Sequence, residues 1–263
     1  MQFSVISSGS KANCTFIDTG RERILIDIGL SAKKTEERLA NLYIDPKTIS
    51  AIFVTHEHSD HILGVPAFSK RWKVPIYTTY ETSKQFGKGY AFEQVDPGVD
   101  FWVGSTRIRP FSVPHDAVNP VAYSLMSAGL KFTQVTDLGR VTPVVLDAVR
   151  DSNALVLESN HCPEMLMNCS YTWDLKKRIS SHHGHISNEA ATALLSEINH
   201  SGLCHVVLAH ISENSNTPER ALEVVENHFR HRRGFSLLCG NVYRESSLMR
   251  VGQVERIQVS QFN

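Results

Sequence analysis

The chain has 263 residues, 41% apolar and 21% charged, which suits a soluble protein with a sizeable core and excludes a disordered one. Lys plus Arg and Asp plus Glu stand at 27 each, so the net charge is zero. That argues against binding nucleic acid or membrane through overall charge, while leaving room for a local basic patch. The five cysteines (Cys14, Cys162, Cys169, Cys204 and Cys239) form no C-x-x-C pair and read as reduced thiols. Without a leader-like start or an apolar run near the roughly 20 residues that span a bilayer, a cytoplasmic protein with no membrane partner is expected.

In chain order, Phe3–Ile6, Cys14–Asp18 and Ile24–Asp27 are short apolar or β-branched runs between glycine-containing turns, predicting strands. Ser31 is placed to cap a helix over Lys33–Leu42. Ala51–Thr55 is a continuous apolar run, as in a strand buried on both faces, and a helix is expected from about His61 to Trp72. The stretch from Tyr77 to Val135 reads mainly as strands, notably Thr106–Val113, Val121–Ser127 and Leu130–Thr136. Thr142-Pro143 pairs an N-cap with proline at the first helical position, and Asn153–Glu158 is another buried strand. Asn188–Asn199 reads as helix, Cys204–Ala209 as strand, and Thr217-Pro218 as a further helix start. Two batches of strands with helices between them fit a sandwich of two sheets flanked by helices better than a doubly wound sheet. No repeat or linker divides the chain, so one domain over residues 1–263 is expected.

The chemistry concentrates in His56-Glu57-His58-Ser59-Asp60-His61, directly after the Ala51–Thr55 run. Residues two apart on an extended segment face the same side, so His56 and His58 can grip one ion while Asp60 and His61 face a second. Imidazole and carboxylate suit zinc, manganese or iron. A histidine-rich surface loop is the bland alternative, and four potential ligands in six residues at the end of a buried strand disfavour it. His115, Asp137 and His210 each follow an apolar β run, where α/β folds carry functional groups. Taken singly, each could be a satisfied buried polar residue; as a set they read as ligands. Asp27 ends its own strand in the same way and could orient the histidine loop.

The order Asp27, His56-x-His58-x-Asp60-His61, His115, Asp137, His210 resembles the metallo-β-lactamase-fold hydrolases along the whole chain. The resemblance implies a four-layer αβ/βα sandwich of the α/β (α+β) class. It also implies two divalent metal ions, with His56, His58 and His115 on the first, Asp60, His61 and His210 on the second, and Asp137 bridging. SSGSKANCT, DIGLSAKK, HDAVNPVAY, VTDLG, LESNH, GHISN and LAHISENSNTPE are similar to the YycJ/WalJ-type subgroup, which implies nuclease activity. The chain departs from that pattern at Cys14, Asn119 and Cys162, where serine, glutamate and aspartate are usual.

Two ions about 3.5–4 Å apart can share a hydroxide whose pKa is lowered to about 7, giving a nucleophile that Asp60 helps to hold. Glu158 and His185 resemble the proton-relay pair of the phosphodiesterase branches, and His185 becomes a candidate general acid. The bland reading is that His185 simply caps the helix starting near Ser187. His161 is a weaker candidate for binding phosphate or metal, and His182 and His183 read as a solvated face. Ser10 and Asn13 could meet a substrate phosphate, although a tight turn between strands explains them slightly better. Lys176-Lys177-Arg178 and Arg230-His231-Arg232-Arg233 are local basic runs that could follow a nucleic-acid backbone or merely be solvated.

The leading expectation is therefore a two-metal phosphodiesterase, zinc- or manganese-dependent, acting on DNA as a nuclease, with 5′-to-3′ exonuclease action in view. A small cyclic-phosphate or cyclic-nucleotide phosphodiesterase, a thioester or lactam hydrolase, and a non-catalytic regulatory module are the alternatives. Glu158 and His185 weigh against the thioester reading, since a thiolate leaves with less acid help. Retention of all seven ligand candidates weighs against the module.

Overall fold

A computed structural model describes residues 1–86, 90–230 and 233–252. His231 and Arg232 of the second basic run, and the last residues of the expected domain, lie outside the described residues.

One sheet uses β1 (Gln2–Ser7), β2 (Cys14–Asp18), β3 (Arg23–Ile26), β4 (Ala51–Phe53), β5 (Ile76–Thr78) and β6 (Phe92–Gln94). The other uses β7 (Phe101–Val103), β8 (Thr106–Ser112), β9 (Val121–Ser127), β10 (Leu130–Val135), β11 (Ala154–Glu158), β12 (His205–Ala209) and β13 (Ser236–Cys239). The short β14 (Met249–Arg250) returns to the first sheet, whose order is β14-β1-β2-β3-β4-β5-β6, against β13-β12-β11-β10-β9-β8-β7 in the second. Both sheets are antiparallel at one end and parallel at the other, the change coming at β3 in one and β10 in the other. Hairpins build the antiparallel halves, and helical crossovers build the parallel ones.

The helices are α1 (Ala32–Asn41), α2 (Ser59–Ile62), α3 (Val65–Trp72), α4 (Tyr80–Ser83), α5 (Pro143–Val149), α6 (Pro163–Asn168), α7 (Trp173–Ile179), α8 (Asn188–Ile198) and α9 (Pro218–Phe229). A central core between the sheets joins Phe3, Ile24 and Phe53 to Tyr123, Phe132 and Val207. Leu39 of α1 and Phe68 of α3 cover the outer face of the first sheet. Val145 of α5, Leu195 of α8 and Val225 of α9 cover that of the second. The result is the expected four-layer αβ/βα sandwich. Sheets covered on both faces explain why β4, β11 and β12 are buried at every position and carry continuous apolar runs rather than alternating.

The caps fall where the sequence predicts them: Ser31 accepts a hydrogen bond from Lys34 N, Thr142 from Val145 N, and Thr217 from Arg220 N. The helix expected from His61 to Trp72 is instead two, α2 and α3, parted at Leu63-Gly64. Pro66, in the first turn of α3, has no N–H to continue the α2 ladder. A side chain at Gly64 would also put its Cβ 2.2 Å from the Leu30 carbonyl oxygen. The stretch from Tyr77 is less strand-rich than expected, since α4 interrupts it.

Candidate metal centre and catalytic cleft

β4 stops at Phe53, and the chain then runs extended past Val54 and Thr55 to deliver His56 and His58, before α2 carries Asp60 and His61. The Asp60 carbonyl accepts from Asn13 N at 2.8 Å, and that of His61 accepts from Ile28 N at 2.8 Å, which fastens the loop to the end of β3. Glycine is required at 29, where a Cβ would lie 1.7 Å from the Asp60 carbonyl oxygen. Asp27, Asp137 and His210 follow β3, β10 and β12 with φ of 58°, 57° and 53°, the left-handed region. Such backbone costs on the order of 1–3 kcal/mol per residue and turns each side chain back over the strand ends.

This brings together all seven ligand candidates. Ring nitrogens of His56, His58 and His115 form one group with atoms within 4.8 Å of one another, and Asp60, His61 and His210 form another. Asp137 stands between them, with Oδ1 3.6 Å from His115 Nε2 and from His210 Nε2, and Oδ2 3.2 Å from His61 Nε2. Each of four rings is gripped through Nδ1. His61 donates to Asp27 Oδ2 at 2.8 Å, His210 to Glu158 Oε1 at 3.0 Å, and His115 to the Gly184 carbonyl at 3.2 Å. His56 Nδ1 meets Thr55 Oγ1 at 2.9 Å, and that hydroxyl in turn donates to Asp27 Oδ2 at 2.9 Å. Partners that only accept keep the proton on Nδ1 and leave the Nε2 lone pair facing the centre.

His210 Nε2 and Asp137 Oδ2 are buried with no hydrogen-bond partner. Unmet polar atoms among converging imidazoles and carboxylates are costly unless a cation completes them, so the donor set fits divalent metal ions. Electrostatics agree. Burial opposes charge on His61, yet Asp137 and Asp27 hold its pKa well above the usual histidine value. His210, opposed by burial but faced by Asp137, Asp60 and Glu158, is pushed up to about 10. Burial also disfavours charge on Asp60 and Asp137, but His210 and His61 hold both carboxyls below their usual range. Without metal, protons on these two rings balance the carboxylates; metal uptake must expel them. His56 and His115 are pushed the other way, down, chiefly by burial.

Glu158, fully buried at the end of β11, places Oε1 2.7 Å from His185 Nδ1 as well as 3.0 Å from His210 Nδ1. Its Oε2 accepts from Leu138 N at 2.7 Å. Burial pushes this carboxyl up, but the His185 and His210 contacts win and bring it to about 2. A cleft of about 220 Å³ is lined by His58, Asp60, His115, Asp137, His185 and His210, with Ser10 at its edge. His185 therefore offers Nε2 to whatever the cleft holds.

Asn13 is turned away from the cleft mouth: its Nδ2 reaches Asp60 Oδ2 at 3.2 Å and the Gly9 carbonyl at 3.1 Å, tying the first loop to the metal group. His161 does not join the cleft but lines a neighbouring cavity, and His182 and His183 are exposed. Sequence reasoning missed Thr55, which ties Asp27 to His56, and Asn160, whose Nδ2 donates to the His210 carbonyl at 2.9 Å. It also left Arg178 among a solvated basic run, whereas Arg178 lines the cleft and pairs with Asp116 at 2.5 Å. The only signal for these was adjacency to the motifs.

The model of the metallo-beta-lactamase superfamily matches residues 8–146. The exodeoxyribonuclease YycJ of Bacillus anthracis is 34% identical over 227 residues, covering 84% of this chain and 86% of the relative. The exodeoxyribonuclease WalJ of Streptococcus pneumoniae is 33% identical over 228 residues, covering 84% and 85%. Among solved structures, the metallo-beta-lactamase fold protein YhfI from Bacillus subtilis superposes with a TM-score of 0.71 at 14% identity, over 93% of this chain and 98% of that one. At that identity the last match speaks for the fold alone.

Proposed function

This chain belongs to the metallo-beta-lactamase superfamily, and on that footing we propose that it is a two-metal phosphodiester hydrolase, a nuclease that degrades DNA from a 5′ end. The observation that carries the reading is the single Glu158 oxygen shared by His210, in the metal group, and His185, at the cleft. A phosphodiester expels an alkoxide and gains from a positioned proton donor, whereas a thioester expels a thiolate that needs little help. The names of the two relatives, both exodeoxyribonucleases, support DNA as the substrate.

Two divalent ions, zinc or manganese, held by His56, His58 and His115 and by Asp60, His61 and His210 with Asp137 between them, would neutralise phosphoryl charge and activate water at neutral pH. Asp60, partly open to the cleft, would help to hold an ion there and could orient a water for attack. Glu158 keeps the His185 proton on Nδ1 and stabilises the ring when Nε2 is also protonated, so Nε2 can hand a proton to the departing oxygen. Asp27 and Thr55 hold His61 and His56 in place. Ligands drawn from both sheets support one catalytic domain over residues 1–263. Among the described residues no helix is long and apolar enough to cross a membrane, and five free cysteines favour the cytoplasm.

The test is cleavage of 5′- and 3′-end-labelled DNA and RNA, single- and double-stranded, by metal-loaded protein, with Asp60→Ala as control. Metal-dependent shortening of DNA from its 5′ end, absent from the control, is expected. No cleavage by protein carrying two ions would sink the nuclease reading and make cyclic phosphates the next substrates.

A further inference from the structure

A second cavity of about 570 Å³ adjoins the catalytic cleft, and His185 lies in the wall common to both. Its floor is apolar, formed by Val141 and by Ala190 and Leu194 on α8. His161 lines it while only 5% exposed, and its Nδ1 is buried without a hydrogen-bond partner. The His161 carbonyl accepts from Asn188 N at 2.9 Å, which ties this segment to the start of α8. Burial depresses the pKa of this imidazole, which favours the neutral ring. A buried nitrogen with no partner is better left unprotonated, which puts the proton on Nε2 as a donor for a ligand. Arg140, exposed at the rim, makes no ion pair with any described residue.

We infer that this cavity receives the nucleoside attached to the leaving oxygen, so that it selects the departing nucleotide of the substrate. The inference rests on the phosphodiesterase reading. With Nδ1 committed to Glu158, His185 has only Nε2 to give, so the leaving oxygen must lie there, at the boundary of the two cavities. The phosphorus stays with the metal ligands, and the carbon frame on the departing oxygen extends past His185. Beyond His185 lies an apolar slot for a base, a neutral imidazole N–H for a base carbonyl, and an unpaired guanidinium for the next phosphate along the strand.

Two variants and two substrates test it. Ala193, on the exposed side of α8 at this cavity, can be enlarged to fill the slot (Ala193→Trp), and Arg140→Ala removes the cation at the rim. Each is assayed on a 5′-phosphorylated dinucleotide, whose departing nucleotide carries the phosphate that Arg140 would meet, and on bis(4-nitrophenyl) phosphate, whose leaving group is a small phenolate. For both variants the loss of kcat/KM on the dinucleotide is expected to exceed the loss on the aryl ester by about tenfold or more. Equal losses on both substrates, or none on either, would overturn the assignment. Thymidine 5′-monophosphate titrated into metal-loaded protein supplies a readout independent of turnover. Its affinity should fall about tenfold in Ala193→Trp, and unchanged affinity counts against the cavity. A wild type that binds this nucleotide in the cavity yet cleaves no phosphodiester would keep the subsite and defeat the nuclease reading.

Discussion

The two metal groups share Asp137 but are supported by opposite means. His56 and His115 rest on a hydroxyl and a backbone carbonyl, and burial pushes both rings towards neutrality. His61 and His210 rest on the carboxylates of Asp27 and Glu158, with Asp60 and Asp137 close by, and are pushed the other way. A ring backed by a carboxylate is a more basic ligand, and a group with its own carboxylate carries more negative charge. The Asp60 group should therefore bind its ion more tightly and release more protons in doing so. Its support also reaches the proton donor, because Glu158 holds both His210 and His185. That coupling has no counterpart in the His56 group.

The strongest way to break the comparison is to remove what the groups share. Asp137→Ala should lower DNA cleavage by about 10³-fold or more with the fold retained by circular dichroism. Near-normal turnover would show that the two groups do not act together. Next in size, Glu158→Gln should cost about 10²-fold on DNA and distinctly less on bis(4-nitrophenyl) phosphate, because a phenolate leaves without an acid. Equal losses would reduce Glu158 to support for His210 alone. Asp27→Asn should then weaken the ion of the Asp60 group by about 10–100-fold and that of the His56 group less, since Asp27 reaches His61 directly and His56 only through Thr55, as read by competition with a chelator.

Proton release sharpens the contrast further. With its pKa near 10 when metal-free, His210 carries a proton at neutral pH, and binding requires the neutral ring. Affinity at the Asp60 group should thus rise with pH through neutrality, by up to about tenfold per pH unit for each proton expelled. The His56 group, in which His56 and His115 are pushed below their usual value, should respond less steeply. Calorimetry in buffers of different ionisation enthalpy reads both, and affinity falling with pH would contradict the assignment. The smallest effect lies away from the centre. Thr142→Ala, which removes the α5 cap, should cost about 1 kcal/mol of stability in a denaturant titration and leave cleavage untouched.

How much of this was legible in the sequence follows from where each signal lies. His56, His58, Asp60 and His61 are contiguous, and His115, Asp137 and His210 each follow a buried strand, so local pattern reaches them. The left-handed backbone at Asp27, Asp137 and His210 has no composition signal, since glycine is the usual marker of that region. Thr55 looks like the last residue of an apolar strand, and its bridging role depends on Asp27 arriving from β3. The break at Gly64 depends on Leu30, distant in sequence. β6 and β7 are short, largely exposed edge strands without clean alternation, so periodicity could not find them. Arg178 could be placed at the cleft only once α7 packs beside it.

The inequality of the two metal groups is tested most directly by titrating zinc into metal-free protein at neutral pH, with Asp60→Ala alongside. Two ions per wild-type chain in steps of unequal affinity, with the tighter step lost in Asp60→Ala, is the expected result. A single ion, two equivalent steps, or a tighter step that survives in Asp60→Ala would contradict it.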